Sequence, residues 1–128
     1  MRIVGHGIDL VSVARIRQML EEHGGQFLKR CFTPEEQAHG AGTPRHVEHL
    51  AARFAAKEAA MKALGTGLAD GISWTDVEVH TAANGAPSLI VVRRAAEIAL
   101  VRGIDQWWIS LSHTDDHAIA SVVAAASD

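Results

Sequence analysis

The sequence predicts an α+β fold: a single small domain over residues 1–128, with a mainly antiparallel sheet packed against a long central helix. Three observations carry this. The segment "TPRHVEHLAARFAAKEAAMKALGTG" has helical composition and helical punctuation at both ends. Two pairs of β-rich segments are joined by short polar turns, one holding Asn84–Gly85 and the other "TDDH". Strands outnumber what a β-α-β alternation would supply, and no repeat, low-complexity tract or linker divides the chain.

Taken in order, "RIVGHGIDLV" reads as a short strand, apolar at its ends and glycine-rich inside, that meets Asp9 near its end. Ser12 can cap a helix running to about Glu22, with Ile16, Met19 and Leu20 on one face, and "HGG" stops it. "QFLKRCF" follows as helix or irregular chain. In "TPEE", Thr33 is an N-cap, Pro34 sits at N1 and Glu36 closes a capping box; this short helix ends by Gly40–Gly42. The central helix begins at Thr43–Pro44 and ends at Gly65. After the loop "GTGLADG", "WTDVEVH" alternates as a strand, Asn84–Gly85 turns the chain, and "SLIVV" returns. "RRAAEIALVRG" is a helix with its own glycine stop, and "QWWISLSH" and "AIASVVAA" are the last two strands. Trp107 and Trp108 fall on opposite faces, one for the core and the other for an interface or ligand.

Composition bounds the function. With 48% hydrophobic and 21% charged residues, the chain is globular and long enough to bury a core. Cys31 is the only cysteine, so no internal disulfide forms, and a lone thiol suits a reducing cytosol. No apolar run reaches the length of a membrane span, and "MRIVGHGIDLV" lacks the apolar core of a signal peptide; a cytoplasmic protein without membrane contact is expected. The net charge of −3 offers no general attraction to nucleic acid. Its distribution is uneven: residues 1–31 carry five Lys/Arg against three Asp/Glu, whereas residues 65–128 carry three against eight. A basic N-terminal third suits an acidic partner.

The chemistry concentrates on the central helix. Val47, Leu50, Phe54, Met61 and Gly65 recur at three- and four-residue steps, and Glu58 falls in the gap of that series, projecting toward the apolar side. A carboxylate placed there must be paired, protonated or bound to a metal. Lys62 lies one turn on, and Arg53 and Lys57 flank the stripe. Asp9, at the end of the first strand, can face the same site. Two carboxylates with room for water are how proteins hold Mg²⁺, substrate phosphates completing the shell, and three nearby cations suit a polyphosphate. In "SLSH", Ser112 and His113 stand at a strand end, His113 being structural, a general base or a phosphate donor. His46 and His49 lack a third metal ligand and read as solvent-exposed, and "GTGLADG" is not a phosphate-binding P-loop.

Four segments together, "GIDLVSVARI" at 7–16, "FTPEE" at 32–36, "RFAAKEAAMKALGTG" at 53–67 and "SLSH" at 110–113, resemble the motifs of the holo-acyl-carrier-protein synthases, the small bacterial class of 4′-phosphopantetheinyl transferases. Order, spacing and length all match. The resemblance implies that fold and a Mg²⁺-dependent transfer of 4′-phosphopantetheine from coenzyme A to a serine of acyl carrier protein, with release of adenosine 3′,5′-bisphosphate. It implies Asp9 and Glu58 as metal ligands and Lys62 at the pyrophosphate, assisting the leaving group. Arg53, Gly65, Ser112 and His113 would lie near the nucleotide and its 3′-phosphate. Arg15 and Met19 would dock the carrier protein, whether that of fatty-acid synthesis, a polyketide pathway or both. It also implies a homotrimer with active sites between subunits. The residues leave open whether Glu58 deprotonates the serine directly or through a metal-bound water. Three other readings compete: a non-catalytic module that binds nucleotide or carrier protein, a Mg²⁺-dependent pyrophosphate hydrolase that uses water in place of serine, and a structural α+β subunit whose helix pair is coincidental, which leaves Glu58 in an apolar stripe unexplained.

Overall fold

A computed structural model describes residues 1–128. Its elements run β1 (Arg2–Ser12), α1 (Val13–Cys31), α2 (Pro34–Ala38), α3 (His46–Leu64), a 3-10 turn (Trp74–Asp76), β2 (Val77–Thr81), β3 (Pro87–Val91), α4 (Arg93–Val101), β4 (Gln106–His113) and β5 (His117–Ala126). The expected α+β architecture is present, with α3 at its centre. The strands divide into two antiparallel sheets, β1-β5-β4 and the separate hairpin β2-β3.

β1 is glycine-rich because α3 lies against it backbone to backbone. A Cβ on Gly5 would come 1.9 Å from the Ala63 carbonyl oxygen, and one on Gly7 1.9 Å from that of Ala59. The helix answers with alanines, and Ala55, Ala56, Ala59, Ala60 and Ala63 are all buried. The strand register then places Asp9 opposite Ala120, on the sheet face that α3 covers, two residues beyond Gly7. On the other face Ile8, Leu10, Trp108 and Ile119 are exposed, Leu10 at 64% and Trp108 at 56%, while Trp107 packs against the core.

Three boundaries and one sheet pairing differ from the sequence reading. "HGG" does not end the first helix. Gly24, at φ 49° and ψ −122°, kinks it and helical structure resumes to Cys31. α3 starts at His46 rather than Thr43. Trp74–Asp76 forms a 3-10 turn instead of the head of a strand, because Ser73 and Asp76 close a capping box there. The hairpin stands apart from the main sheet. The Thr33–Glu36 capping box, the Gly65 cap (φ 90°) and the Asn84–Gly85 turn form as expected.

Candidate active site

Asp9, Glu58 and Lys62 come together where β1 leaves the face of α3. Lys62 Nζ donates to Asp9 Oδ1 at 3.2 Å and to the Ile8 carbonyl at 2.9 Å, so strand and helix are tied at the site itself. Asp9 Oδ2 is buried and has no hydrogen-bond partner. Glu58, one turn before Lys62, is half-buried. Burial first, and then the Asp9 carboxylate, push its carboxyl above the usual range, while Arg15 and Lys62 pull it back. Glu58 and Lys62 line a cavity of about 260 Å³ with Met61, Gly67, Leu68 and Trp74. Leu68 and Trp74 also wall a neighbouring groove of about 420 Å³ between α1 and α3, whose lining includes Arg15, Met19, Phe27 and Phe54.

Two carboxylates that repel one another, one with a buried oxygen lacking any partner, form a site that a divalent cation relieves. No three His, Cys, Asp or Glu side chains stand close enough to hold a metal by themselves. The donor set therefore fits Mg²⁺, which keeps waters and takes substrate phosphates as further ligands, better than it fits a closed structural metal site.

The remaining residues singled out in the sequence do not all join this cluster. Gly65 caps α3 just beyond Lys62, and a Cβ there would meet Arg102, 2.7 Å from Nη1. Arg15 lines the groove with Met19 and lies near enough to Glu58 to pull its carboxyl back down. Arg53 and His113 belong to a second group. Arg53 is buried, donates to Thr81 Oγ1 at 2.6 Å and to the His49 carbonyl at 3.3 Å, and keeps a buried Nε without a partner. The His49 ring packs edge-on to His39 at 5.0 Å between centroids and near His113 at 6.3 Å. His46 and His49 are thus half-buried rather than exposed. Ser112 stands on the outward sheet face opposite Ile119, away from both groups.

The apolar stripe misassigned the buried charge. α3 is covered nearly all round, and Glu58 is the half-exposed position in an otherwise buried run from Leu50 to Met61. The most deeply buried charge on α3 is Lys57, fully buried and paired with Glu36 Oε1 at 2.6 Å. Lys57 is therefore not free to meet a polyphosphate. Reading Glu36 only as a cap missed this partner, and with alanines flanking both Lys57 and Glu58 nothing in the sequence said which of the two turns inward.

Residues 5–122 match the family model described as the 4′-phosphopantetheinyl transferase superfamily. The chain is 45% identical to the holo-[acyl-carrier-protein] synthase of Koribacter versatilis, across 94% of this chain and 97% of that one. It is 47% identical to the synthase of Desulforudis audaxviator, across 95% and 92%. Among solved structures it resembles the holo-[acyl-carrier-protein] synthase of Neisseria meningitidis, with TM-score 0.87, 35% identity and coverage of 96% and 98%. It also resembles that of Bacillus anthracis in complex with CoA (3′,5′-ADP), with TM-score 0.81, 36% identity and coverage of 99% and 100%.

Proposed function

The chain belongs to the 4′-phosphopantetheinyl transferase superfamily, and on that premise we propose which residues carry the reaction. The activity is that of a holo-acyl-carrier-protein synthase: 4′-phosphopantetheine moves from coenzyme A to a serine hydroxyl of apo-acyl carrier protein, leaving adenosine 3′,5′-bisphosphate. The observation that carries the site assignment is the buried, unpartnered Oδ2 of Asp9 beside Glu58, with Lys62 closing over them.

Asp9 and Glu58 would hold Mg²⁺, which would supply neutralisation of charge on the diphosphate oxygens. Lys62, held from behind by the Ile8 carbonyl, points its ammonium at the charge that develops on the departing nucleotide phosphate. Glu58 accepts the serine proton, directly or through water. Cleaving a diphosphate asks for alignment and charge neutralisation more than for covalent help, and these groups supply both.

Arg53 and His113 meet the nucleotide end of coenzyme A; Gly65, beyond Lys62, and Ser112, on the outward sheet face, stand apart from them in one chain and reach it only across a subunit boundary. Arg15 and Met19, on the α1 side of the adjoining groove, dock the acidic carrier protein. In one chain the Arg53–His113 group and the Asp9–Glu58–Lys62 group are separate, and the outward face at Ile8, Leu10, Trp108 and Ile119 is apolar and exposed. Both features support a homotrimer in which neighbouring chains complete each site; light scattering at the mass of one chain with activity retained would refute it. A cytoplasmic location accords with the lone reduced thiol of Cys31.

The test is intact-mass spectrometry of apo-acyl carrier protein incubated with the protein, coenzyme A and Mg²⁺. The carrier is expected to gain one phosphopantetheine, and EDTA to prevent it. Coenzyme A consumed without a gain in carrier mass would make the protein a hydrolase.

A further inference from the structure

We propose that Lys57 and Glu36 are positioning residues for the substrate cavity: their buried ion pair holds the Trp74 wall at a fixed distance from Glu58 and Lys62. That this cavity receives substrate rests on the functional reading above.

Lys57 and Glu58 are consecutive on α3, so their side chains leave the helix about 100° apart. Glu58 faces the cavity while Lys57 faces inward. Each of the three ammonium protons of Lys57 has a directed acceptor: Glu36 Oε1 at 2.6 Å, the Trp74 carbonyl at 3.1 Å and the Val77 carbonyl. None is left for a ligand. Glu36 is equally committed: Oε1 also accepts from the Thr33 amide at 2.9 Å, and Oε2 accepts from the Val79 amide at 2.7 Å. Both side chains are fully buried.

The pair thus grips residues 74–79 at three backbone points and ties them to one turn of α3. The side chain of Trp74, carried on the gripped segment, stacks on Phe54 with 4.7 Å between centroids and 24° between planes. It then forms the wall facing Glu58, Met61 and Lys62. The loop 65–73, which carries Gly67 and Leu68 of the same cavity, runs directly into this segment; Arg94, donating to the Asp70 carbonyl, and the buried Ile72 hold it further back. The catalytic carboxylate and the opposing wall are therefore held by adjacent residues of one helix.

A buried ion pair is weak evidence of stability, since apolar replacement is often neutral, whereas breaking one partner is costly. The test therefore changes both charges together, in the double variant Lys57→Met with Glu36→Gln, and compares it with Ile104→Ala. Ile104 is buried but lines neither cavity. With 5-fluorotryptophan incorporated, the ¹⁹F resonance of Trp74, assigned by its loss in Trp74→Phe, should shift or broaden in the double variant and stay in place in Ile104→Ala. KM for coenzyme A should rise roughly tenfold or more, and by more than KM for apo-carrier protein, whose docking groove Trp74 also walls. The Ile104→Ala control should lose melting temperature without that split. Glu36→Gln alone strands the buried Lys57 charge, and should move the same two readouts with a larger loss of melting temperature than the double variant. A folded variant with an unmoved Trp74 resonance and an unchanged KM for coenzyme A overturns the proposal. If the unmodified protein transfers nothing, the functional reading fails, and the Trp74 resonance alone still decides the positioning.

Discussion

Gly7→Ala tests the backbone contact that brings β1 to α3. The added Cβ would lie 1.9 Å from the Ala59 carbonyl oxygen, 2.8 Å from its carbon and 2.9 Å from the Ala63 amide nitrogen. All three are backbone atoms, so no rotamer change relieves the clash. Ordinary contact begins near 3.4 Å, and strand and helix must part by about 1.5 Å where cores resist such displacement. Overpacking commonly costs about 1–3 kcal/mol, and a clash with rigid backbone belongs at the upper end. That corresponds to a loss of roughly 10 °C in melting temperature for a chain of this size. Because Asp9 lies two residues further along the same face, the move also opens the 3.2 Å contact with Lys62. A misplacement near 1 Å can lower turnover by about a hundredfold. Thermal melts and kcat/KM measure the two effects. Gly25→Ala is the control: nothing lies within 4 Å of that site, and the change should be neutral or stabilise α1 by up to about 1 kcal/mol. A Gly7→Ala protein that melts with the parent and keeps its activity would refute the close-packing argument.

Glu58→Gln should abolish Mg²⁺-dependent turnover without lowering the metal-free unfolding midpoint at neutral pH, since burial and Asp9 disfavour the charge it removes; a lower midpoint or full activity at saturating Mg²⁺ would contradict this. Arg15→Glu should raise KM for carrier protein and leave coenzyme A affinity unchanged, steady-state kinetics with each substrate varied being the check. Burial lowers the imidazoles of His39 and His49 below 6.5, assisted at His39 by Arg53 and at His49 by His39, Arg53 and His113. Below 6.5 the unfolded chain therefore binds more protons. The neutral rings contribute stability that is present above 6.5 and lost as pH falls through their folded values. Urea midpoints from pH 8 down to 5 should fall less in His39→Gln/His49→Gln than in the parent; parallel curves would contradict the assignment.

Local rules found most of the elements because they are written in a few residues: Thr33, Pro34 and Glu36 for α2, Gly65 for the end of α3, Asn84–Gly85 for the hairpin. They failed where tertiary space decides. Gly24 lets α1 bend and continue because glycine tolerates its φ of 49°, and a glycine in sequence does not say whether a helix stops or turns. The clustering of Asp9, Glu58 and Lys62 was legible because strand end and helix each carry an unusual charge. Which of Lys57 and Glu58 goes inward was not, since alanines on every side give the helix no polar face to orient by. Glu36 revealed its cap in the sequence but not its buried partner, 21 residues away.

The claim on which the chemistry turns is that Asp9 and Glu58 hold the divalent cation. Titration of Mn²⁺ into the protein with coenzyme A, followed by loss of the free-ion electron paramagnetic resonance signal, measures it without reference to turnover. The unmodified protein should bind Mn²⁺ more tightly than coenzyme A does alone, and Asp9→Asn and Glu58→Gln should each lose that gain. Variants that bind Mn²⁺ as tightly as the parent would place the metal elsewhere and remove these two carboxylates from its shell.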